Sequence, residues 1–192
     1  MPHSSTVTFL TYWRGLQPSP DRAPMRDRFD PARLKSLIPQ MIMISGHDNG
    51  YRFRLSGGFV VALHGYELKD TVFPTLFRSP FLNTVRTSLA MAVRRQQPLI
   101  LRLSAPWQAR RAEDADLFRN ETVGLEVCLC PLANNDGVVD RLVGIYQTLP
   151  PMPKFPHGTF GRYTLVSSRL YEQRLPRAAH LRLVASHGRR IA

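Results

Sequence analysis

Met41-Ile42-Met43-Ile44, then His47-Asp48-Asn49-Gly50, then Tyr51-Arg52-Phe53-Arg54-Leu55 is the run on which the fold turns. The first four residues are uniformly apolar and read as a buried strand. The next four have turn chemistry, including an Asn-Gly pair of the kind that closes tight hairpins. The last five alternate apolar and basic residues, which places Tyr51, Phe53 and Leu55 on one face of a second strand. Gly57-Gly58 ends that strand. Phe59 to His64 then reads as a short helix closed by Gly65.

Downstream, a helical turn is expected over Thr75–Phe77. Pro80 to Arg95 reads as the longest helix, because Phe81, Leu82, Val85, Leu89, Ala92 and Val93 recur at helical spacing. Three strand-like runs follow: Leu99–Ala105, Thr122–Leu132 and Leu142–Thr148. A charged stretch, Gln108–Asn120, joins the first two. The turn sequence Ala133-Asn134-Asn135-Asp136-Gly137 joins the last two. Two strands, a helical segment and three strands make an α+β pattern: an antiparallel sheet with its helices in one connection.

Upstream, Ser4 or Ser5 caps a first helix running to about Arg14, stopped by Gly15 and Pro18. Phe9, Leu10, Trp13 and Leu16 form a stripe on one side of it. Residues 17–29 are rich in Pro, Arg and Asp and read as a linker. Asp30-Pro31 has the N-cap and first-turn signature of a second helix, carrying Leu34, Leu37 and Ile38 and ending at Pro39. Residues 150–161 are rich in Pro and Gly, and Tyr163–Leu175 fits strand or helix. No repeat of about 20–50 residues is present. The resulting division is residues 1–29 as helix and linker, 30–149 as the domain, and 150–192 as a linker and basic extension.

Composition limits the class. The chain has 192 residues, 43% hydrophobic and 21% charged, which fits one globular domain with extensions. No apolar run reaches the roughly 18 residues a membrane helix needs. The first residues lack a basic stretch followed by an apolar one, so no signal peptide is expected. The two cysteines, Cys128 and Cys130, lie two apart on one predicted strand, where a disulfide would be badly strained. A reduced, cytoplasmic setting is the simpler expectation. They are also too few ligands for a zinc site. The net charge is +12, and all 26 basic residues except Lys35, Lys69 and Lys154 are arginine. That balance fits a solvated arginine-rich surface. It also fits non-specific affinity for nucleic acid or an anionic lipid surface.

Order and spacing together carry a resemblance. Tyr12-Trp13 and Gly15, Pro24, Asp30-Pro31, Leu37-Ile38-Pro39, Tyr51-Arg52-Phe53-Arg54-Leu55, Gly57, Gly65 and Leu68 resemble a single-domain PAS family widespread in alphaproteobacteria, over roughly residues 9–148. The resemblance implies a five-stranded antiparallel sheet holding a pocket against its helices. It also implies a sensory or signalling module that works through a regulatory protein partner. Pocket candidates on the concave side are Tyr51, Phe53, Leu55, Phe59, Leu63, Val85, Leu89, Leu101 and Leu103. Either they line a small-ligand site or they fill the space as ordinary core.

No cofactor is expected, although a small ligand of unknown identity fits the family. Flavin photochemistry in such domains uses a cysteine in the helical connection, and here both cysteines fall on the fourth strand. Haem-binding members place a histidine on the long helix, and Pro80–Arg95 has none. His64 faces either the pocket or the surface at a helix end, and one imidazole does not define a haem site. The nucleophile elbow, the Walker phosphate loop and the zinc-protease His pair are all absent, so no enzyme is expected. The apolar stripe of the first helix must bury itself on its own sheet or on a second chain. A homodimer is the commonest way to do the latter. The rival reading is a basic nucleic-acid-binding regulator, resting on an arginine-rich C-terminal tail.

Overall fold

The computed structural model describes residues 1–46, 50–109, 121–151 and 158–171. Their elements run, in chain order, α1 (Ser4–Gly15), β1 (Met41–Ser45), β2 (Phe53–Ser56), α2 (Gly58–His64), α3 (Leu82–Arg95), β3 (Leu99–Ala109), β4 (Thr122–Ala133), β5 (Val139–Leu149), β6 (Gly158–Phe160) and β7 (Thr164–Leu170). Short 3-10 segments at Arg26–Arg28, Pro31–Gln40, Phe73–Leu76 and Ser79–Phe81 fill the connections.

The centre of the sheet is the β4–β5 hairpin. Asn134 makes its turn as the sequence predicts: its Oδ1 accepts from the amides of Asp136 and Val138, both at 3.0 Å, and Gly137 takes φ 77°. From that hairpin the antiparallel sheet spreads in the order β2-β1-β5-β4-β3. The five predicted strands are therefore present. A sixth position beyond β3 is shared by two more strands: β7 pairs with Leu99–Ser104, and β6 pairs with Trp107–Ala109. The three residues of β6 lie in a Pro- and Gly-rich stretch too short to show a strand period.

Strand alternation divides the core into two layers. On the inner face, Leu125, Val127 and Leu129 of β4 and Leu99, Leu101 and Leu103 of β3 pack with α2 and α3. On the outer face, Cys128, Cys130, Ile100, Val143 and Ile145 pack with α1 and the 3-10 segment Pro31–Gln40. Phe9, Leu10 and Trp13 are at most 1% exposed there, and Trp13 Nε1 donates to the Pro131 carbonyl at 2.9 Å. Each such burial is worth on the order of 2–3 kcal/mol. The stripe read from the sequence as an interaction element is thus satisfied by the chain's own sheet. Its fourth member, Leu16, sits half-buried at the helix end. A homodimer loses the support that stripe gave it.

The residues that carried the family resemblance have visible work in this layer. The Tyr12 hydroxyl accepts from the Asp30 amide at 2.9 Å and donates to its carbonyl at 3.0 Å. Asp30 Oδ1 in turn caps the next segment by accepting from the Ala32 amide. That segment is a kinked 3-10 run rather than the expected helix, with Leu34 at φ −121°. Its Ile38 is 43% exposed. Residues 23–29 are tied to the sheet: the Pro24 carbonyl accepts from Ala133 N at 2.9 Å, and Arg26 pairs with Asp140 at 2.8 Å. At the start of the chain the His3 amide donates to Glu126 Oε1 at 2.8 Å. Glu126, fully buried, also holds Arg102 at 3.2 Å.

One candidate residue is on the wrong side. Strict alternation puts Leu55 with Tyr51 and Phe53, but it is 51% exposed. The cause is a β-bulge. Met43 pairs with Leu55 and Ile44 pairs with Phe53, so Arg54 is an extra residue and the alternation reverses across it. Phe53 therefore points inward with Ile44, and Leu55 sits opposite Met43, which packs against the outer layer.

Candidate functional site

The inner layer ends in a polar–aromatic cluster assembled from four segments, the last two adjacent in the chain. α2 contributes His64, its last residue. Gly57 sets the start of that helix: its amide donates to the Met41 carbonyl at 2.7 Å, and a side chain there would collide with the carbonyl oxygens of Ile38 and Pro39. Gly65 ends the helix at φ 77°, a left-handed cap that favours glycine. β5 contributes Tyr146, in the same inward phase as Leu142. β6 contributes Phe160, which packs on Trp107 with ring centroids 5.3 Å apart. The connector from β6 to β7 contributes Tyr163. Its amide donates to the Leu76 carbonyl at 2.8 Å, and its carbonyl accepts from Arg78 N at 2.9 Å.

His64 is the hub. Its Nε2 lies 2.7 Å from the Tyr163 hydroxyl. Its ring stands edge-on to Tyr66, Tyr146, Phe160 and Tyr163 at centroid distances of 5.8 to 6.1 Å. Burial lowers its pKa to about 4, so the imidazole is neutral at physiological pH. Burial also pushes the Tyr146 and Tyr163 phenols up, which keeps both protonated. The two phenols also interact with each other. A neutral imidazole beside two phenols can exchange hydrogen bonds with a polar guest and carries no charge of its own.

An open cleft of about 390 Å³ reaches this cluster, lined by His64, Tyr66, Thr71, Thr75, Gln108 and Arg162 among others. The sequence-predicted pocket residues lie deeper. Phe53, Leu63, Val85, Leu89, Leu101 and Leu103 are at most 5% exposed and pack in the inner core, with Phe59 at its margin. Tyr51 is there too, and it also borders a separate cleft beside Val72 and Arg86. From the sequence alone, His64 fits either the pocket or the surface. The Tyr163 bond that gives it its place joins residues 99 positions apart, and no local pattern announces it.

The sequence profile of the PAS domain family matches residues 1–147. The chain belongs to the PAS domain family. No curated protein matches it. Among solved structures, a Rhodobacter sphaeroides LOV protein is similar at 14% identity and TM-score 0.42, over 64% of this chain and 70% of that one. The light-state LOV domain of the blue-light photoreceptor Aureochrome1 is similar at 11% identity and TM-score 0.40, over 62% and 88%. An RNA-binding light-oxygen-voltage receptor is similar at 12% identity and TM-score 0.41, over 65% of this chain and 35% of that one.

In PAS terms, His64 and Tyr146 lie within the matched residues, whereas Phe160, Arg162 and Tyr163 come after them. The site therefore joins residues inside the matched segment to residues that follow it. Cys128 and Cys130 both lie on β4 in the outer layer, their sulfurs 3.9 Å apart. Burial raises the Cys130 thiol pKa, so it stays protonated and unreactive. Among the described residues no cluster of three or more His, Cys, Asp or Glu side chains is placed to hold a metal. Among them, too, no helix is long and apolar enough to cross a membrane.

Proposed function

We propose that this PAS domain is a cytoplasmic signalling module that acts by contact with a regulatory protein and has no catalytic role. A small ligand on its inner layer would set which surface it presents. The observation that carries this reading is the His64–Tyr163 hydrogen bond at 2.7 Å. It ties α2, in the helical connection, to the start of β7, which covers the edge of β3. A change at α2 thus has a mechanical route to the far edge of the sheet. The inner core is otherwise filled by its own side chains, which favours a ligand at the open cleft over one in the middle of the sheet. The placement of both cysteines in the outer layer and the lack of histidine on α3 favour a protein without flavin or haem. A colourless preparation is expected, and a Soret or flavin band would overturn that part.

The test is affinity capture and native mass spectrometry of the full chain beside Tyr163→Phe. The expected result is a specific partner, absent from a control protein of equal charge, whose capture changes in the variant. A chain that stays monomeric, carries no small molecule and captures nothing beyond the charge-matched control would sink the proposal.

A second reading rests on the net charge of +12: the same chain would touch nucleic acid or another anionic surface. Its signature would be steep weakening with salt.

A further inference from the structure

Two arginines line adjoining hollows beside His64, Arg162 in the His64 cleft itself and Arg78 in the groove next to it. Arg162 lines that cleft, and with Arg78 it also lines an adjoining groove of about 540 Å³; the two hollows share Gln108 and Arg162. Both arginines are exposed, and among the described residues neither has a carboxylate partner. Their closeness is built into the backbone. Arg78 N donates to the Tyr163 carbonyl, Tyr163 N donates to the Leu76 carbonyl, and Gly161 N donates to the Pro106 carbonyl. These bonds clamp the Gly161–Tyr163 connector between the 76–78 segment and β3, so both guanidinium stems leave from one stitched strip. Two cations lining one groove raise the local positive potential and attract an anion.

Behind the mouth, the floor is polar. His64 is 5% exposed, with Nε2 occupied by Tyr163 and no hydrogen bond at Nδ1 among the described residues. The buried Tyr146 phenol beside it interacts with the Tyr163 phenol. Between mouth and floor, Leu76, Phe160 and the half-exposed Tyr66 offer apolar and aromatic wall.

We infer that this cleft binds a small organic oxyanion, a carboxylate or phosphate ester on a compact apolar or aromatic body. Arg162 and Arg78 hold the acid group, the aromatic wall holds the body, and His64 meets its polar end. Arg162 and Tyr163 follow the matched segment, so the ligand would add to the backbone bonds that already hold them against it. This deepens the signalling proposal by naming the chemistry of its input, and it rests on that proposal only for its consequence.

The experiment titrates benzoate, phenyl phosphate and neutral benzamide into the full chain, reading affinity by calorimetry and the His64 imidazole by nitrogen NMR. One or both anions are expected to bind and shift His64, with benzamide at least about tenfold weaker. Arg162→Gln should weaken the anion by about tenfold, the loss typical of one charge-assisted hydrogen bond, and Arg78→Gln should weaken it less. A stronger carboxylate or a stronger phosphate ester identifies the acid group. The inference is overturned if neither anion binds at millimolar concentration, if benzamide binds equally, or if Arg162→Gln changes nothing while its circular dichroism stays native. Partner capture that persists when the anions fail to bind would remove the ligand and leave the signalling proposal standing.

Discussion

The Tyr163 hydroxyl and His64 Nε2 sit 2.7 Å apart, and this contact joins the end of α2 to the connector that leads into β7. Because burial brings the imidazole pKa from 6.5 to about 4, the folded chain binds fewer protons at this residue than the unfolded chain between those values. Stability should therefore be full above about pH 6.5 and fall as the pH drops toward 4, by about 3 kcal/mol in all. Urea denaturation at a series of pH values checks this. In His64→Gln the component of the slope assigned to His64 should disappear. An unchanged slope would place the titration elsewhere.

Removing the partner tests the same bond from the other side. Tyr163→Phe leaves His64 buried with one fewer hydrogen bond and should cost about 1–2 kcal/mol. The measurement is the shift in denaturation midpoint at pH 7, where the imidazole is neutral in both proteins. A loss within error of zero would mean the contact is not formed in solution.

Glu126 anchors the start of the chain. It is fully buried, accepts from the His3 amide and pairs with Arg102, which is 39% exposed. Glu126→Ala removes the acceptor and should cost about 2–3 kcal/mol, less than an ion pair buried on both sides. Hydrogen exchange should also accelerate at residues 1–15 before the rest of the sheet. Uniform acceleration across all strands would show that the carboxylate has no special hold on α1.

Gly57 is fixed by crowding. An alanine Cβ there would run into the Ile38 and Pro39 carbonyls, both backbone atoms with little room to yield. Gly57→Ala should destabilise the fold by about 1–3 kcal/mol, as overpacking does. It should also move α2 enough to change the His64 NMR signals. Gly58→Ala is the control, because a Cβ at that position meets nothing within 4 Å.

The basic tail can be tested although residues 172–192 lie outside the described ones. From Gly158 to Ala192 there are seven arginines and a single acid, Glu172. If the tail is an electrostatic contact, binding of the full chain to nucleic acid or anionic vesicles should fall steeply between about 50 and 200 mM salt. Truncation after Leu175 should abolish it and leave the fold intact. Equal low-salt binding by both proteins would end that role.

Much of this architecture was legible because its signals are local. The Asn134 turn, the Asp30 cap, the helical stripe of α3 and the alternation in β4 each depend on residues a few positions apart. The parts that escaped are relationships across the chain or breaks in a local rule. The face of Leu55 turned on one extra residue, Arg54, which nothing in the alternation of Tyr51–Leu55 marks as a bulge. The apolar stripe of α1 was plain, but the surface it covers, Ile100 and the outer residues of β4 and β5, is defined only once the sheet exists. Deleting residues 1–16 would thus strip a core layer from the protein. The turn read at His47–Asn49 and the charged stretch after Ala109 lie mostly outside the described residues. The His64 cluster was the least visible. It takes one residue from each of several elements, and the Arg162–Tyr163 pair sits where the sequence offered only prolines, glycines and an ambiguous run.

The shared sixth position of the sheet has a consequence for how the molecule keeps to itself. Without β6 and β7, the margin of the sheet would be β3, eleven residues long and apolar over Leu99-Ile100-Leu101 and Leu103. An open margin of that kind invites like chains to add on and grow into fibres. β7 replaces it with a seven-residue rim that carries Ser167, Ser168 and Arg169. The last described strand thus works as a hem: it finishes a cloth that would otherwise fray into its neighbours.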